Sequence, residues 1–180
     1  MPEEQTIHGI IAYPITPFNG AGVDGDRLAD LVDTMVDAGV HAIAPLGSTG
    51  ESAYLSFEEW KTVVDTTVAA VAGRVPVVVG SSDLSTAGTV ARVEYAQEAG
   101  ASAVMVIPVS YWALSEREIV QHYSAVSDAI SIPIMAYNNP ATAGIDMSPK
   151  LLTHMFESIA NVKMVKESTG DLQRMLDLKE

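Results

Sequence analysis

The sequence predicts an α/β protein built from repeated βα units on a parallel sheet. Three observations carry this. Short apolar runs recur at Ile10–Phe18, Ala42–Leu46, Val75–Val79, Ala103–Ile107, Ile132–Tyr137 and Val162–Val165, with starts 32, 33, 28, 29 and 30 residues apart. The runs are apolar on consecutive residues, the pattern of a parallel strand buried on both faces. One-sided helical stripes lie between them, so each helix has a face to lay on a sheet.

The stripes are read in chain order. Leu28, Leu31, Val32, Met35 and Val36 follow the first run, and Trp60, Val63, Val64, Val68 and Val71 follow the second. A weaker stripe, Ile119, Tyr123, Val126 and Ile130, follows the fourth, and Leu151, Leu152, Met155, Phe156 and Ile159 follow the fifth. Gly39, Gly73 and Gly100 fall where helices end and a strand soon begins. Ser115 with Glu118 has the pattern of a capping box, and Ser148-Pro149 that of an N-cap followed by proline. Asp171–Leu178 opens a sixth helix. No linker or low-complexity segment interrupts residues 1–180, which read as one domain. Length alone favours a doubly wound open sheet, since a (β/α)8 barrel needs eight units and about 250 residues.

Composition narrows the function. The 180 residues are 48% hydrophobic, with ten Lys+Arg against 23 Asp+Glu and a formal net charge of −13. Such a surface repels phosphate backbones and anionic membranes, so neither nucleic acid nor membrane is expected as a partner. The chain has no cysteine, which excludes disulfides, thiolate metal sites and a cysteine nucleophile. Met1–His8 is polar and acidic, unlike a signal peptide, and no apolar run approaches the ~20 residues of a membrane span. A cytoplasmic location is expected. His8, His41, His122 and His154 are dispersed, so neither metal nor cofactor is expected.

In parallel βα proteins ligands bind at the C-terminal ends of the strands. Those ends read Thr16-Pro17-Phe18, Gly47-Ser48-Thr49-Gly50-Glu51, Gly80-Ser81-Ser82, Pro108-Val109-Ser110-Tyr111-Trp112, Tyr137-Asn138-Asn139-Pro140 and Lys166-Glu167-Ser168-Thr169-Gly170-Asp171. Of five lysines, only Lys166 ends a buried strand; Lys61 and Lys150 sit on helices, Lys163 starts the sixth run and Lys179 is near the terminus. Desolvation there lowers a lysine's pKa from about 10.4 and frees the neutral amine, which forms an imine with a carbonyl. The plainer role is a rim cation paired with Glu167 or Asp171. Strand alternation sets Lys163 on the opposite face. Tyr137 is either a phenol within reach of Lys166 or a core tyrosine, and the same holds for Tyr111, whereas Trp112 reads as packing. The Gly47–Glu51 turn can offer backbone N–H groups and two hydroxyls to an anion, but it lacks the P-loop lysine. Glu167 reads as a charge partner and Asp171 as a helix N-terminal acid.

Taken together, these strand ends resemble the dihydrodipicolinate synthase / N-acetylneuraminate lyase family, in the family's order and over essentially the whole chain. The resemblance implies a (β/α)8 TIM barrel, of which this chain carries the first six units, truncated before strands 7 and 8 and a C-terminal helical extension. It implies a Schiff-base lyase or synthase acting on pyruvate or a related 2-oxo acid, with Lys166 forming the imine and Tyr137 relaying protons. Gly47, Ser48 and Thr49 would hold the carboxylate. Ser48 would also link Tyr137 to Tyr111, which is often supplied across a subunit interface of a homo-oligomeric dimer or tetramer. Thr142 stands where true synthases carry an arginine for the second substrate's carboxylate, and no arginine lies between Arg117 and Arg174. A sister dehydratase or deaminase of a hydroxylated 2-oxo acid is therefore an alternative. Two other readings are a catalytically inactive remnant with unpaired barrel edges and an open-sheet protein that binds a phosphorylated ligand at the Gly47 turn.

Overall fold

The computed structural model describes residues 7–20 and 22–178. Most of the Met1–His8 segment and Lys179 lie outside the described residues. The elements follow in the order β1 (Ile11–Ala12), β2 (Phe18–Asn19), β3 (Gly22–Val23), α1 (Gly25–Asp37), β4 (Ala42–Ile43), α2 (Phe57–Val71), β5 (Val78–Gly80) and α3 (Thr86–Ala99). Then come β6 (Ala103–Val106), α4 (Glu116–Ala129), β7 (Ile134–Asn138), α5 (Pro140–Ala143), α6 (Pro149–Ser158), β8 (Val162–Glu167) and α7 (Leu172–Asp177). A 3₁₀ turn at Ser52–Tyr54 precedes α2.

Every apolar run supplies a strand, and proline trims most of them. The Ile10–Phe18 run, expected as one strand, gives only Ile11–Ala12 to parallel pairing. Pro14 and Pro17 have no N–H to donate, and Phe18–Asn19 instead pairs antiparallel with Gly22–Val23. Pro45 follows β4, Pro76 precedes β5, Pro108 follows β6 and Pro133 precedes β7. β8 has no adjacent proline and is the longest strand, at six residues.

The helix ends follow their capping chemistry. Ser56 with Glu59 and Ser115 with Glu118 form reciprocal capping boxes on α2 and α4. The Ser148 hydroxyl accepts from the Leu151 N–H beside Pro149, and the Asp171 carboxylate accepts from the Gln173 N–H. The helix α3 has no apolar stripe in the sequence because its inward positions include Thr89 and Arg92, both buried. Its start is held by Ser85, whose hydroxyl accepts from the Gly88 N–H at 2.9 Å.

The chain divides into two compact units, Met1–Gly80 with Tyr95–Val104, and Ser81–Glu94 with Met105–Glu180. In the first, β1 pairs parallel with β4 in the register Ile11↔Ala42 and Ala12↔Ile43, and a parallel bridge joins Ile43 to Val77. The Val77 carbonyl accepts from Ser102 N–H at 2.9 Å. Helices α1 and α2 pack on one another, and Leu28, Val32, Trp60, Val63 and Val64 join Ala42–Ala44 and Val77–Val79 in the core. Trp60 is fully buried, and its indole N–H donates to the Gly80 carbonyl at 2.9 Å, which satisfies the one polar atom of the ring.

In the second unit β7 pairs parallel with β8. The register runs Ile134↔Val162, Met135↔Met164, Ala136↔Val165, Tyr137↔Lys166 and Asn138↔Glu167. Lys163 is skipped at an irregularity between Ile134 and Met135, so simple alternation does not run unbroken from Lys163 to Lys166. The core gathers Ile119, Tyr123 and Val126 of α4, Ile134 and Ala136 of β7, and Leu151, Leu152 and Met155 of α6. Tyr123 donates its hydroxyl to the Val106 carbonyl at 2.6 Å, and burial keeps its phenol protonated well beyond the usual range.

Gly80 gives a direct check on the first unit. A Cβ there would land on the Leu46 carbonyl carbon and oxygen, whereas at Gly20 it would meet nothing within 4 Å. Gly80→Ala is expected to lower stability by about 1–3 kcal/mol through overpacking, and Gly20→Ala by no more than about 0.5 kcal/mol, measured by urea unfolding.

Candidate active site

The site residues expected from sequence fall in both units. In the first unit, β4 ends at Ile43 and the chain turns through Pro45 to Glu51. Leu46 and Glu51 both hold the left-handed conformation, with φ of 62° and 55°, a backbone state that non-glycine residues adopt only when their surroundings enforce it. Two bonds close the turn, Gly50 N–H to the Gly47 carbonyl at 3.0 Å and Glu51 N–H to the Ser48 carbonyl at 3.2 Å. The buried Thr16 hydroxyl donates to the Gly50 carbonyl at 2.7 Å, tying the first strand end to this turn. A Cβ on Gly50 would press on the Leu46 backbone at 3.0 Å, a tight approach that a side chain there would strain. Gly47 is buried, while Ser48 and Thr49 are exposed. Among the described residues, the Ser48 and Thr49 N–H groups donate to no backbone carbonyl. The turn therefore presents two backbone donors and two hydroxyls together, the donor set for a carboxylate.

In the second unit the strand register brings Tyr137 and Lys166 side by side. The Lys166 Nζ sits 3.9 Å from the centre of the Tyr137 ring, close enough for attraction between the ammonium and the ring face. Tyr137 is 4% exposed. Its hydroxyl accepts from the Asn139 Nδ2 at 2.8 Å. Lys166 is half-buried, whereas Lys163 is exposed. Thr142 is exposed on α5, one short turn beyond the end of β7, and its N–H donates to the Asn139 carbonyl at 3.1 Å.

Tyr111 lies in the same unit but on the surface, 85% exposed. Trp112, expected as packing, is 76% exposed and instead meets Tyr111 edge-to-face, with ring centres 5.2 Å apart. The short Pro108–Leu114 connection has no helix or strand to cover these rings.

Glu167 and Asp171, the partners considered for Lys166 as a rim cation, have other work. Glu167 Oε2 accepts from Asn138 Nδ2 at 2.9 Å, and Oε1 accepts from the Thr169 N–H at 2.8 Å. Asp171 caps α7, as the sequence indicated. Sequence reasoning missed Asp146 and Arg174. The Arg174 guanidinium grips the Asp146 carboxylate with two bonds, at 2.7 and 2.6 Å. The available signal was that Arg174 is the sole arginine after Arg117. Among the described residues, no cluster of His, Asp and Glu could hold a metal, and no helix is long and apolar enough to cross a membrane.

The Arg174 fork holds the Asp146 carboxyl below the ordinary carboxylate range, partial burial opposes this, and the Asn138 amide adds to the lowering. A carboxyl with a lowered folded-state pKa contributes stability that is fully present above its unfolded value, about 3.9, and is lost as pH falls through the folded value. Arg174→Met is therefore expected to move Asp146 titration upward and to remove this contribution, measured by NMR titration and acid unfolding below about pH 4.

The model of the dihydrodipicolinate synthetase family matches residues 6–180. The 4-hydroxy-tetrahydrodipicolinate synthase of Phenylobacterium zucineum is 37% identical over 92% of this chain and 56% of its own, and that of Rhizobium meliloti is 39% identical over 92% and 57%. A Pseudomonas aeruginosa protein solved as a candidate dihydrodipicolinate synthetase superposes with a TM-score of 0.95 at 56% identity, over 97% of this chain and 60% of that one. YagE, a prophage protein of the dihydrodipicolinic acid synthase family from E. coli K12, solved in complex with pyruvate, gives a TM-score of 0.90 at 31% identity, over 94% of this chain and 57% of that one. The chain thus spans less than two thirds of the relatives it matches, and its parallel βα units are those of a partial (β/α)8 barrel. The chain belongs to the dihydrodipicolinate synthetase family.

Proposed function

We propose that this chain carries the imine-forming half of a lyase that makes or breaks a carbon–carbon bond at pyruvate or a related 2-oxo acid. The observation that carries the reading is the Tyr137–Lys166 pair, held side by side by strand register with Nζ 3.9 Å from the ring centre. The names of the relatives, and the pyruvate held by the YagE structure, support it.

The neutral Lys166 amine adds to the keto carbon of pyruvate to give a carbinolamine. The carbinolamine oxygen takes up a proton and leaves as water, giving a protonated imine. That imine is the electron sink that lets the neighbouring methyl carbon lose a proton and attack an aldehyde as an enamine. Tyr137 would carry the protons, a task that needs a relay because a free phenol has a pKa of about 10. Ser48 and Thr49, with the Gly47 turn, would hold the 2-oxo acid's carboxylate. Ser48 would join the relay toward Tyr111, and the exposure of Tyr111 suits a residue supplied to a second subunit of a homo-oligomer. A cytoplasmic location fits a small-molecule enzyme of this kind.

Thr142 favours a second reading of the partner substrate. It is exposed and offers one hydroxyl where an arginine would offer a positive, two-pronged fork. A neutral or hydroxylated partner fits this position better, as in a sister dehydratase or deaminase.

Two experiments test the proposal. Borohydride reduction in the presence of pyruvate is expected to leave an adduct on Lys166, seen by mass spectrometry. Lys166→Ala should abolish it and Lys163→Ala should leave it intact, while Tyr137→Phe should slow its formation. An adduct on Lys163 would return Lys166 to the role of a rim cation. For the partner, condensation of pyruvate with aspartate semialdehyde should be poor, and Thr142→Arg should lower the KM for that aldehyde about tenfold, the worth of a hydrogen bond to a charged group. Efficient condensation by the unaltered protein would defeat the second reading.

A further inference from the structure

Four side chains that the proposed chemistry leaves idle join the ends of β7 and β8 in the second unit. Asn138 follows Tyr137, Glu167 follows Lys166, and the two are cross-strand partners in the same register. Asn138 is 1% exposed and every polar atom of its amide is used. Its Nδ2 donates to Glu167 Oε2 at 2.9 Å and to Asp146 Oδ1 at 3.3 Å, and its Oδ1 accepts from the Met147 N–H at 2.9 Å. Its backbone carbonyl accepts from the Ser168 N–H at 2.9 Å. One residue thus fastens the segment after β7, through its side chain, and the segment after β8, through its backbone carbonyl.

This arrangement brings two carboxylates to one donor, and like charges at that spacing repel. Arg174 resolves the conflict. Its guanidinium holds Asp146 with two bonds and lies 3.8 Å from Glu167 Oε2. The Glu167 side chain is only 5% exposed and that of Arg174 18%, so neither charge is left to water, and removing one would strand the other.

We propose that Arg174 and Glu167, acting through Asn138 and Asp146, are positioning residues that fix the Tyr137 phenol against the Lys166 amine. The inference rests on the imine-forming reading above. Neither residue is offered as touching substrate. Their effect passes through Asn138 and Glu167, each one residue along its strand from a reacting group, where a displacement of about 1 Å costs on the order of a hundredfold in rate.

The test measures the rate of borohydride-trapped pyruvate adduct at Lys166 across pyruvate concentrations, for the unaltered protein, Arg174→Met, Arg174→Lys and Glu167→Gln. The folded fraction is followed by circular dichroism. A positioning role predicts a limiting rate at least tenfold lower in Arg174→Met and Glu167→Gln. The pyruvate concentration at half-saturation should stay within twofold, since the carboxylate-holding turn is untouched. Arg174→Lys keeps the charge but loses the fork, and should fall between. If Arg174→Met does not fold, Arg174→Lys and Glu167→Gln carry the same comparison. Unaltered limiting rates in folded variants, or losses of adduct that merely match the unfolded fraction, would overturn the positioning role and leave a structural brace. Absence of any Lys166 adduct in the unaltered protein would instead overturn the lyase reading, and this inference with it.

Discussion

The parallel register of β7 against β8 decides which side chain Lys166 meets. In a strand pair a slip of one residue turns every side chain to the other face. Moved one place, Lys166 would lie opposite Ala136 or Asn138 in place of Tyr137. The register is secured at both ends of the pair. At the start, the Asn161 amide donates to the carbonyls of Ser127 and Ile130 at 2.9 and 2.7 Å, and the Asn161 carbonyl accepts from the Ile134 N–H at 2.7 Å. At the finish, Asn138 and Glu167 bond across the strands. Apolar burial of Ile134, Ala136 and Val162 supplies the non-directional part of the pairing, but burial alone does not choose a register. The half-buried Asn161 amide and the buried Asn138 amide do, and at the buried one an unmade bond costs about 1–3 kcal/mol.

The first unit solves a different problem with backbone alone. The turn after β4 passes through left-handed conformations at Leu46 and Glu51. Two close approaches hold that shape, Gly50 against the Leu46 backbone and Gly80 against the Leu46 carbonyl. Trp60 then seals the Gly80 carbonyl with its indole N–H. The turn's shape therefore depends on two glycines and on a tryptophan that bonds to the second of them across twenty residues of chain.

Much of this was legible in the sequence because the governing interactions are local. Consecutive apolar residues mark all six parallel strands, and the capping pairs Ser115/Glu118 and Ser148-Pro149 mark helices that start at the very next residue. What escaped was non-local or set by what a residue lacks. Pro14 and Pro17 remove donors and divert the first run into an antiparallel hairpin. Thr89 and Arg92 face inward on α3 and erase the apolar stripe that would have announced it. The sequence reads Trp112 as packing, yet it lies exposed on a connection with no helix or strand to cover it. The skipped Lys163 and the Asp146–Arg174 pair are properties of partners 28 residues or more from each other in the chain, which no periodicity reports.

Arg174 also bears on what the site can accept. In a chain of formal net charge −13, any cation near an anionic ligand must escape capture by the protein's own carboxylates. Arg174 does not escape, since Asp146 takes both prongs of its fork and Glu167 lies behind it. Thr142, on the neighbouring segment, offers a hydroxyl and no charge, and Arg174 cannot supply one without abandoning Asp146. On the proposed reading, charge recognition in this unit is then spent on the imine itself, and discrimination of the second substrate falls to hydroxyls and shape. A site built that way rejects a partner that lacks a needed hydroxyl far better than it attracts one that carries a carboxylate, because unpaired buried polar groups penalise the wrong ligand more than single neutral hydrogen bonds reward the right one.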